Sequence, residues 1–512
     1  MAHELHADRR LIVVSNRLPI RVVRENDKLQ LKQGAGGLVT AMAPVLRDRG
    51  GLWIGWPGAV EKNMNALCRE FSREAGYLLR PVQLDEADVA GFYQGFSNEI
   101  IWPLFHEFLM PCKFLPSYWE SFQRANQKFS DAVAAAGKPE DFVWVHDYHL
   151  MLMAKQLKEM GKSYRTGFFL HIPFPPPYIF LKLPWRKQVV DALLDFDLIG
   201  FQTLRDRVNF SESVKRVYPG SKQRGRGQVV SVSSEGRQTR IGGFPISIDF
   251  RSFINTASQP QALAKAQELR QAFGNRYIVF GADRLDYSKG IPERLDAFSL
   301  LLETYPDLRE RVCLVQVTVP SREEVPMYRD MKAQVERMVS EINGRFATPG
   351  WTPIHYIYRN LPREELISFY QAADMCIITS LRDGMNLVAK EYIACNTCGT
   401  GTLCLSEFAG AAMEFHRQAV MINPFDAQGV AQAIREAMDT PISVRRKRMR
   451  AMRDVLRRFD IFHWVDSFLL AAISKRLGDF PTKQGDFYLT VRDRMGPPWD
   501  AEVPEPAANN KA

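Results

Sequence analysis

Arg284 and Lys289 close the stretch YIVFGADRLDYSKG (277–290), where an apolar, β-branched run gives way to Gly290 and a helical pattern. Two fixed cations beside a helix N-terminus suit a doubly charged anion such as a diphosphate, because the side chains and the first backbone N–H groups turn positive charge toward one place. The alternative is a surface ion pair with Asp283 or Asp286. A second constellation lies in LRDGMNLVAKEY (381–392), where Asp383 and Gly384 end an apolar run and Glu391 falls inside the next helical pattern, near Asn386 and Lys390. Carboxylates accept hydrogen bonds from sugar hydroxyls, and the helix start at Met385, Asn386, Leu387 and Val388 offers backbone N–H groups to phosphate. Glu391 read alone is also an exposed helix charge. Gly34-Ala35-Gly36-Gly37 precedes LVTAMAPVL, a helical pattern. It is not a full G-x-G-x-x-G with an acidic partner downstream, so it predicts either a loop that lets backbone approach a phosphate or sugar, or a simple turn. His146-Asp147-Tyr148-His149 lacks the H-E-x-x-H spacing and a third ligand of a zinc site. Asp147 there can orient a hydroxyl or act as a base. The absence of G-x-S-x-G and of G-x-x-x-x-G-K-[ST] argues against a serine hydrolase and a P-loop NTPase.

The elements that must hold these residues are apolar runs: LIVVSN (11–16), FVWVHD (142–147), TGFFLHIPFP (166–175), DLIGFQT (197–203), YIVFGADR (277–284), VCLVQVTVPS (312–321), DMCIITSLRDG (374–384), TLCLSE (402–407) and AVMINPFD (419–426). Near-continuous apolar strands alternating with helical patterns such as 321–346 predict parallel sheets covered on both faces. In such sheets ligands bind beyond the carboxyl ends of the strands. Asn16-Arg17, His146-Asp147, His171, Arg284 with Lys289, Ser321-Arg322, Arg382-Asp383-Gly384 and Ser406-Glu407 all occupy those ends, so the set is expected to line one cleft. Residues 219–243 are polar and glycine-rich, which places a boundary near residue 250. The expectation is an α/β chain of two Rossmann-like, doubly wound domains, 1–250 and 251–460, facing a central cleft. A helical segment at 461–496 is expected to pack back across the domains, and the Pro/Ala/Asn-rich tail at 497–512 to be disordered.

The chain has 512 residues, ample for two cores, and a formal charge of 67 − 58 = +9, which suits anionic ligands. Its densest basic stretch, SVRRKRMRAMRDVLRRFD (443–460), lacks interleaved aromatics and reads as a solvated helix face; a polyanion or partner site is the alternative, and nucleic-acid binding is not expected. The seven cysteines are scattered, which fits free thiols in a reducing cytoplasm, and Cys395-x-x-Cys398 has no second pair at metal spacing. MAHELHADRR is charged and no apolar signal region follows, and no apolar span is long enough to cross a membrane. A cytoplasmic location without membrane association is expected.

SNRLP (15–19), AGGL (35–38), FSNEIIWPLFH (96–106), VWVHDYHLM (143–151), GFFLHIPFP (167–175), LIGFQT (198–203), DRLDYSKGIPERL (283–295), LRDGMNLVAKEY (381–392) and LSEFAGAA (405–412) together resemble the trehalose-6-phosphate synthases, in order from about residue 10 to 475. The resemblance implies a GT-B fold, with the acceptor held mainly by the first domain and the nucleotide-sugar by the second. It puts Arg284, Lys289, Asp147 and His171 at the reacting centre. Arg284 and Lys289 would bind the diphosphate of UDP-glucose and offset its growing charge. Glu391 would hold the ribose, Asp383 with the backbone from Gly384 to Val388 the glucose, and Gly36 and Gly37 would close over the donor phosphates. His171 would touch the transferred glucose. Arg17, Tyr93, Trp102, Asp147 and Arg322 would bind glucose 6-phosphate, the two arginines at its phosphate and the two rings shaping the pocket.

The implied reaction retains the α-configuration by a front-face route without a protein nucleophile. It needs no metal and no cofactor, and domain closure would exclude water. The family also implies a homodimer or homotetramer and a separate phosphatase acting on the product. Two segments depart from the family's blocks: FHEFLMPCKFLPSYWESF (105–122) and HIPFPPPYIFLKLPWRKQ (171–188), whose LPWR element resembles the glucosylglycerol-phosphate synthase branch. The alternative acceptor is therefore glycerol 3-phosphate. A catalytically silent sugar-phosphate sensor should lack one of Arg284, Lys289, Asp383 or Glu391, and all four are present.

Overall fold

A computed structural model describes residues 10–474, apart from 26–27, 35–36, 50, 59–63, 110–111 and 323–324. Leu11–Arg17 shows why the strands form where they do. Its first six residues are buried and only Arg17 emerges, the pattern of a strand covered on both faces. It lies inside a nine-stranded sheet ordered Leu78–Pro81, Leu52–Trp56, Leu11–Arg17, Phe142–His146, Arg165–Phe169, Leu198–Phe201, Arg237–Gly243, Val229–Ser234, Lys222–Arg224. The strands from Leu78–Pro81 to Arg237–Gly243 are parallel, and the last two add antiparallel. A second, all-parallel sheet runs Ile354–Tyr358, Val312–Val319, Tyr277–Arg284, Met375–Ile378, Thr402–Ser406, Val420–Ile422.

Both sheets start at an inner strand, wind outward one way, return and wind out the other way. In the first, the order reverses between Leu11–Arg17 and Phe142–His146; in the second, between Tyr277–Arg284 and Met375–Ile378. Crevices open at such reversals, just past the strand ends. Those ends carry Arg17 and Asp147 in one sheet, and Arg284, Lys289 and Asp383 in the other.

Several expected boundaries move. The polar stretch 219–243 is not only a connection: three of its segments extend the first sheet, and Val230, Val232 and Ile241 are buried there together with the small polar Ser231, Ser234 and Thr239. The run 166–175 stops being a strand after Phe169, and its prolines from Pro173 onward lack the N–H groups a ladder needs. The helical pattern at 321–346 begins at Pro326, where proline's missing N–H costs nothing. The basic helix Ile442–Arg458 buries Met449, Met452 and Leu456, and Arg453 donates to the carbonyls of Ile393, Ala394 and Asn396. Its cations are thus partly structural rather than wholly a solvated face.

The helix Ile461–Ile473 lies on the first sheet. Phe468 stacks on Trp144 at 4.3 Å and 4°, and a Cβ on Gly167 or Gly200 would come within 2.8 Å of its ring. Gly200 and Gly167 are therefore the seat of that ring. Arg240 Nη1 donates to Ala471 O at 2.8 Å, and Ile461 N to Ile248 O at 3.0 Å. Of the expected 461–496 segment, residues beyond 474 lie outside the described residues, as does the 497–512 tail. Among the described residues no helix is long and apolar enough to cross a membrane, and all seven cysteines are free thiols.

Candidate active site

The strand Tyr277–Arg284 buries Ile278 to Asp283 and releases only Arg284. Asp286 then caps a tight turn, accepting from Ser288 N at 3.0 Å and Ser288 Oγ at 2.8 Å. Gly290 turns the chain into the helix Ile291–Thr304 at φ 62°, and a Cβ there would lie 2.1 Å from Thr379 O, so only glycine fits. The turn delivers Lys289 Nζ to Asp383 Oδ2 at 2.6 Å, with both side chains only 12% exposed. Asp383 also accepts from Asn386 Nδ2 at 3.2 Å and Ser380 Oγ at 3.3 Å. Burial alone would push its pKa up; the Lys289 charge and hydrogen bond override that and hold the carboxyl below its usual range.

Arg284 makes no ion pair among the described residues; its guanidinium sits 5.6 Å from the centre of the Trp102 ring. The alternative of a pair with Asp283 or Asp286 is overturned, because both carboxylates are taken. Asp283 lies 2.8 Å from the buried Arg294, and Asp286 lies 3.2 Å from Arg322.

Asn386, at φ 91°, caps the helix Leu387–Cys395 by accepting from Ala389 N at 3.1 Å. Asparagine tolerates that conformation better than most residues. Gly384 has no room for a side chain: a Cβ would lie 2.3 Å from His171 O in the other half of the molecule. The donor-side loop thus touches the acceptor-side backbone directly. Met385 is buried, and its carbonyl accepts from Ala411 N at 2.8 Å. Glu391 is not an exposed helix charge. It is half-buried, accepts from Tyr370 OH at 2.7 Å, and burial pushes its carboxyl up to about 7. Beside it, the buried Lys390 Nζ lies 2.5 Å from Glu414 and 2.8 Å from Ile246 O. Gly37 opens the helix Gly37–Arg49, while Gly36 lies outside the described residues.

The acceptor side is aromatic. Arg17 lies over the Trp56 ring at 4.7 Å. Trp56 meets Tyr93 edge-on at 5.8 Å, Tyr93 stacks on His149 at 5.9 Å, and His149 touches Tyr148 at 4.0 Å. Tyr148 leads at 6.0 Å to Trp102, whose ring carries Arg322 at 4.1 Å as well as Arg284. Tyr93 and Trp102 are presented by a π-helix, Val89–Ile101, that ends at Trp102; such helices are rare and concentrate at functional sites. Arg322 also donates to Tyr148 OH at 3.4 Å and to Tyr328 OH.

Asp147 and His171 sit where the halves meet. Asp147 holds φ 73°, a strained conformation for aspartate, and its carboxylate accepts from His171 N at 3.2 Å. Burial pushes the Asp147 carboxyl up to about 6, against the pull of Arg284 and Arg322. His171 lies 3.1 Å, ring nitrogen to ring nitrogen, from His146, and burial pushes its pKa down to about 3, so the ring stays neutral. Among the described residues no His/Cys/Asp/Glu cluster has the form of a metal site.

The structure therefore brings Arg17, Tyr93, Trp102, Asp147, His171, Arg284, Lys289, Arg322, Asp383 and Gly384 to the facing ends of the two sheets, several of them in contact, with Glu391 on the helix Leu387–Cys395. Sequence reasoning missed Trp56, Tyr148, His149, Asp286, Tyr328, Tyr370 and the Lys390–Glu414 pair as supports of these groups. Trp56 ends the apolar run LWIGW, and the same strand-end rule would have found it.

Two doubly wound sheets whose reversal points face each other across a cationic cleft make this a GT-B glycosyltransferase. The model for glycosyltransferase family 20 matches residues 9–473, and the chain belongs to that family. It is 41% identical over 482 residues to the trehalose-6-phosphate synthase of Mycobacterium marinum, covering 93% of this chain and 96% of that one. It is also similar to a crystal structure of a UDP-forming α,α-trehalose-phosphate synthase from Burkholderia xenovorans in complex with glucose-6-phosphate. There the TM-score is 0.82 and the identity 33%, with 91% of this chain and 100% of that chain covered. A structure from E. coli bound with UDP-2-fluoro glucose gives a TM-score of 0.80 and 34% identity over 90% of this chain and 98% of that one.

Proposed function

We propose that the chain transfers glucose from UDP-glucose to glucose 6-phosphate with retention of configuration, releasing UDP and forming trehalose 6-phosphate. The observation that carries this reading is the Trp102 ring. Presented by the first half, it meets Arg284 and Arg322, which end or follow two neighbouring strands of the second sheet, at 5.6 Å and 4.1 Å, so cations of the donor half converge on a ring of the acceptor half.

In this reading Arg284 and Lys289 hold the donor diphosphate, Glu391 the ribose, and Asp383 with the backbone from Gly384 through Asn386 to Val388 the glucose. Gly37 borders the donor phosphates. Arg17 and Arg322 take the acceptor phosphate, Tyr93 and Trp102 wall its pocket, and Asp147 and the neutral His171 orient hydroxyls at the junction. As the bond from C1 to the diphosphate oxygen breaks, charge grows on the leaving phosphate beside the two cations, which offset it as a divalent ion would. That phosphate takes the proton of the attacking hydroxyl, whose oxygen bonds C1 from the same face. No step is assigned to a metal. A separate phosphatase would remove the product's phosphate, and a homodimer or homotetramer in the cytoplasm fits the free thiols and the family.

The departing segments bear on the acceptor. Trp119 and Trp185 stack at 5.6 Å and 9°, and both contact Phe96 on the π-helix rather than Tyr93 or Trp102 among the described ring contacts. They buttress the helix from behind, which supports glucose 6-phosphate over glycerol 3-phosphate. The test supplies UDP-glucose with each acceptor, separately and together, without added metal, and follows UDP release and product mass. Trehalose 6-phosphate is expected; product from glycerol 3-phosphate alone overturns the reading.

A further inference from the structure

Arg382 and Asp383 are neighbours with different partners. Asp383 turns to Lys289, while Arg382 crosses to the other half of the molecule. Its Nε lies 3.1 Å from Glu107 Oε1, close enough for an ion pair but off the hydrogen-bond direction, and its Nη2 lies 3.5 Å from Asp206 Oδ1. The Arg382 side chain is only 12% exposed. Both carboxylates are held by the acceptor half. Asp206, 2% exposed, accepts from Thr203 Oγ at 2.5 Å and Phe174 N at 3.1 Å. Glu107 is fixed at φ 69°, with its N–H on Leu104 O at 3.1 Å and the next N–H on Pro103 O at 2.8 Å.

The clasp is tied to both substrate sites. Glu107 follows His106, whose Nδ1–H donates to Trp102 O at 2.7 Å and whose ring lies 4.1 Å from the Trp102 ring. Trp102 carries Arg284 and Arg322. One residue from Arg382, Leu381 N donates to Ser288 O at 2.8 Å, inside the turn that delivers Lys289. Two cavities flank this seam. One of about 440 Å³ is lined by His106, Glu107, Arg205 and Arg382, and one of about 610 Å³ by Tyr287, Glu293 and Met331; Phe108 and Leu381 form the wall common to both. Water therefore reaches within a side chain of the donor turn, and Phe108, edge-on to Tyr287 at 5.0 Å, closes the gap alongside the clasp.

We infer that Arg382 is a positioning residue. By pairing with Glu107 and Asp206 it locks the loop carrying Asp383 to the acceptor half, so that donor glucose is presented to the acceptor hydroxyl and shielded from water. This inference rests on the transferase reading. Loss of the clasp leaves the diphosphate cations in place but lets the halves part. Water then attacks C1, the C1–diphosphate bond breaks, and free glucose and UDP are released.

The test compares Arg382→Gln, Arg382→Lys and Glu107→Gln with the unaltered chain, measuring transfer, UDP release without acceptor, UDP-glucose affinity and Tm. For Arg382→Gln, transfer falls about 100-fold, the scale of a small misplacement of reacting groups. The ratio of hydrolysis to transfer rises at least about tenfold, as expected when a site no longer excludes water, while UDP-glucose Kd moves by less than about threefold because no donor contact is removed. Arg382→Lys recovers part of the transfer, and Glu107→Gln shows the same change in ratio at smaller size. If Arg382→Gln does not fold, Glu107→Gln decides, since Glu107 is 35% exposed and sits in no core. An unchanged hydrolysis-to-transfer ratio in a folded variant overturns the inference. No transfer by the unaltered chain overturns the transferase reading instead.

Discussion

Two regions of the cleft hold their cations in different ways. On the donor lip, Lys289 is matched by a carboxylate, Asp383, at 2.6 Å. Elsewhere in the cleft the cations lie on aromatic rings: Arg17 on Trp56, and Arg284 and Arg322 against Trp102. An aromatic face attracts a cation without neutralising it, so an arriving phosphate has no anion to displace. A carboxylate partner fixes the ammonium before substrate arrives, and its remaining lone pairs stay free for hydroxyls. Arg322 belongs to both schemes, since it also neutralises the fully buried Asp286.

The largest test of this contrast is Arg284→Ala against Lys289→Ala. Each is expected to lower kcat by about 10²–10³, the scale for losing one donor to a developing charge. Only Lys289→Ala should also lower Tm, because it leaves Asp383 without its cation. Near-normal turnover in either variant breaks the assignment of the diphosphate site.

Next come two of the ring-held arginines, one with a carboxylate partner and one without. Arg322→Ala leaves Asp286 buried and unpaired and should cost about 3–5 kcal/mol in denaturant unfolding. Arg17→Ala should change stability by less than about 0.5 kcal/mol, as for an exposed residue, yet raise the KM for the phosphorylated acceptor. Equal stability losses would erase the distinction between a cation paired with a carboxylate and one held by a ring alone. Lys390→Met is expected to lose about 3–5 kcal/mol by stranding Glu414, with much of it restored by Lys390→Met/Glu414→Leu.

The smallest effect is the pH response of Glu391. Its carboxyl is raised by burial from an ordinary 4.5 to about 7, so the native state binds the proton more tightly than the unfolded chain. Its contribution to stability is complete below about pH 4.5 and is lost as pH rises through about 7. Glu391→Gln should flatten that decline in Tm, while donor affinity, which needs the carboxylate, should weaken in the native chain as pH falls below 7. A Tm profile unchanged by the substitution would contradict the raised carboxyl.

How much of this was legible depended on burial. Strands covered on both faces, such as Tyr277–Arg284, announce themselves as unbroken apolar runs, and the residues at their ends were read from that alone. The hairpin Ile20–Glu25 with Lys28–Gln33, the strands within 222–243, and Ile354–Tyr358 were not read, because they mix apolar with polar residues and resemble loops; Leu52–Trp56 was not read although fully buried, because its apolar run is only five residues long. The site's residues were legible as positions but not as partnerships. Arg322 looked like a free phosphate ligand; its hold on Asp286 and Tyr328 depends on contacts between segments that sequence spacing does not reveal. Glu391 read as a sugar ligand or, alone, as an exposed charge, and its partner was out of view for the same reason, since Tyr370 arrives from a different helix.

The π-helix carries a consequence in angle. Tyr93 and Trp102 are nine residues apart. In an α-helix that is about two and a half turns, which would set the two rings on opposite sides. A π-helix, with about 4.4 residues per turn, brings them nearly full circle twice, onto one side. Trp102 then lies against the guanidinium of Arg322, and Tyr93 joins it through His149 and Tyr148. The length of this segment is therefore set by rotation rather than by reach: removing a single residue between the rings would still let the chain span the distance, but would swing Tyr93 roughly a quarter-turn off the pocket.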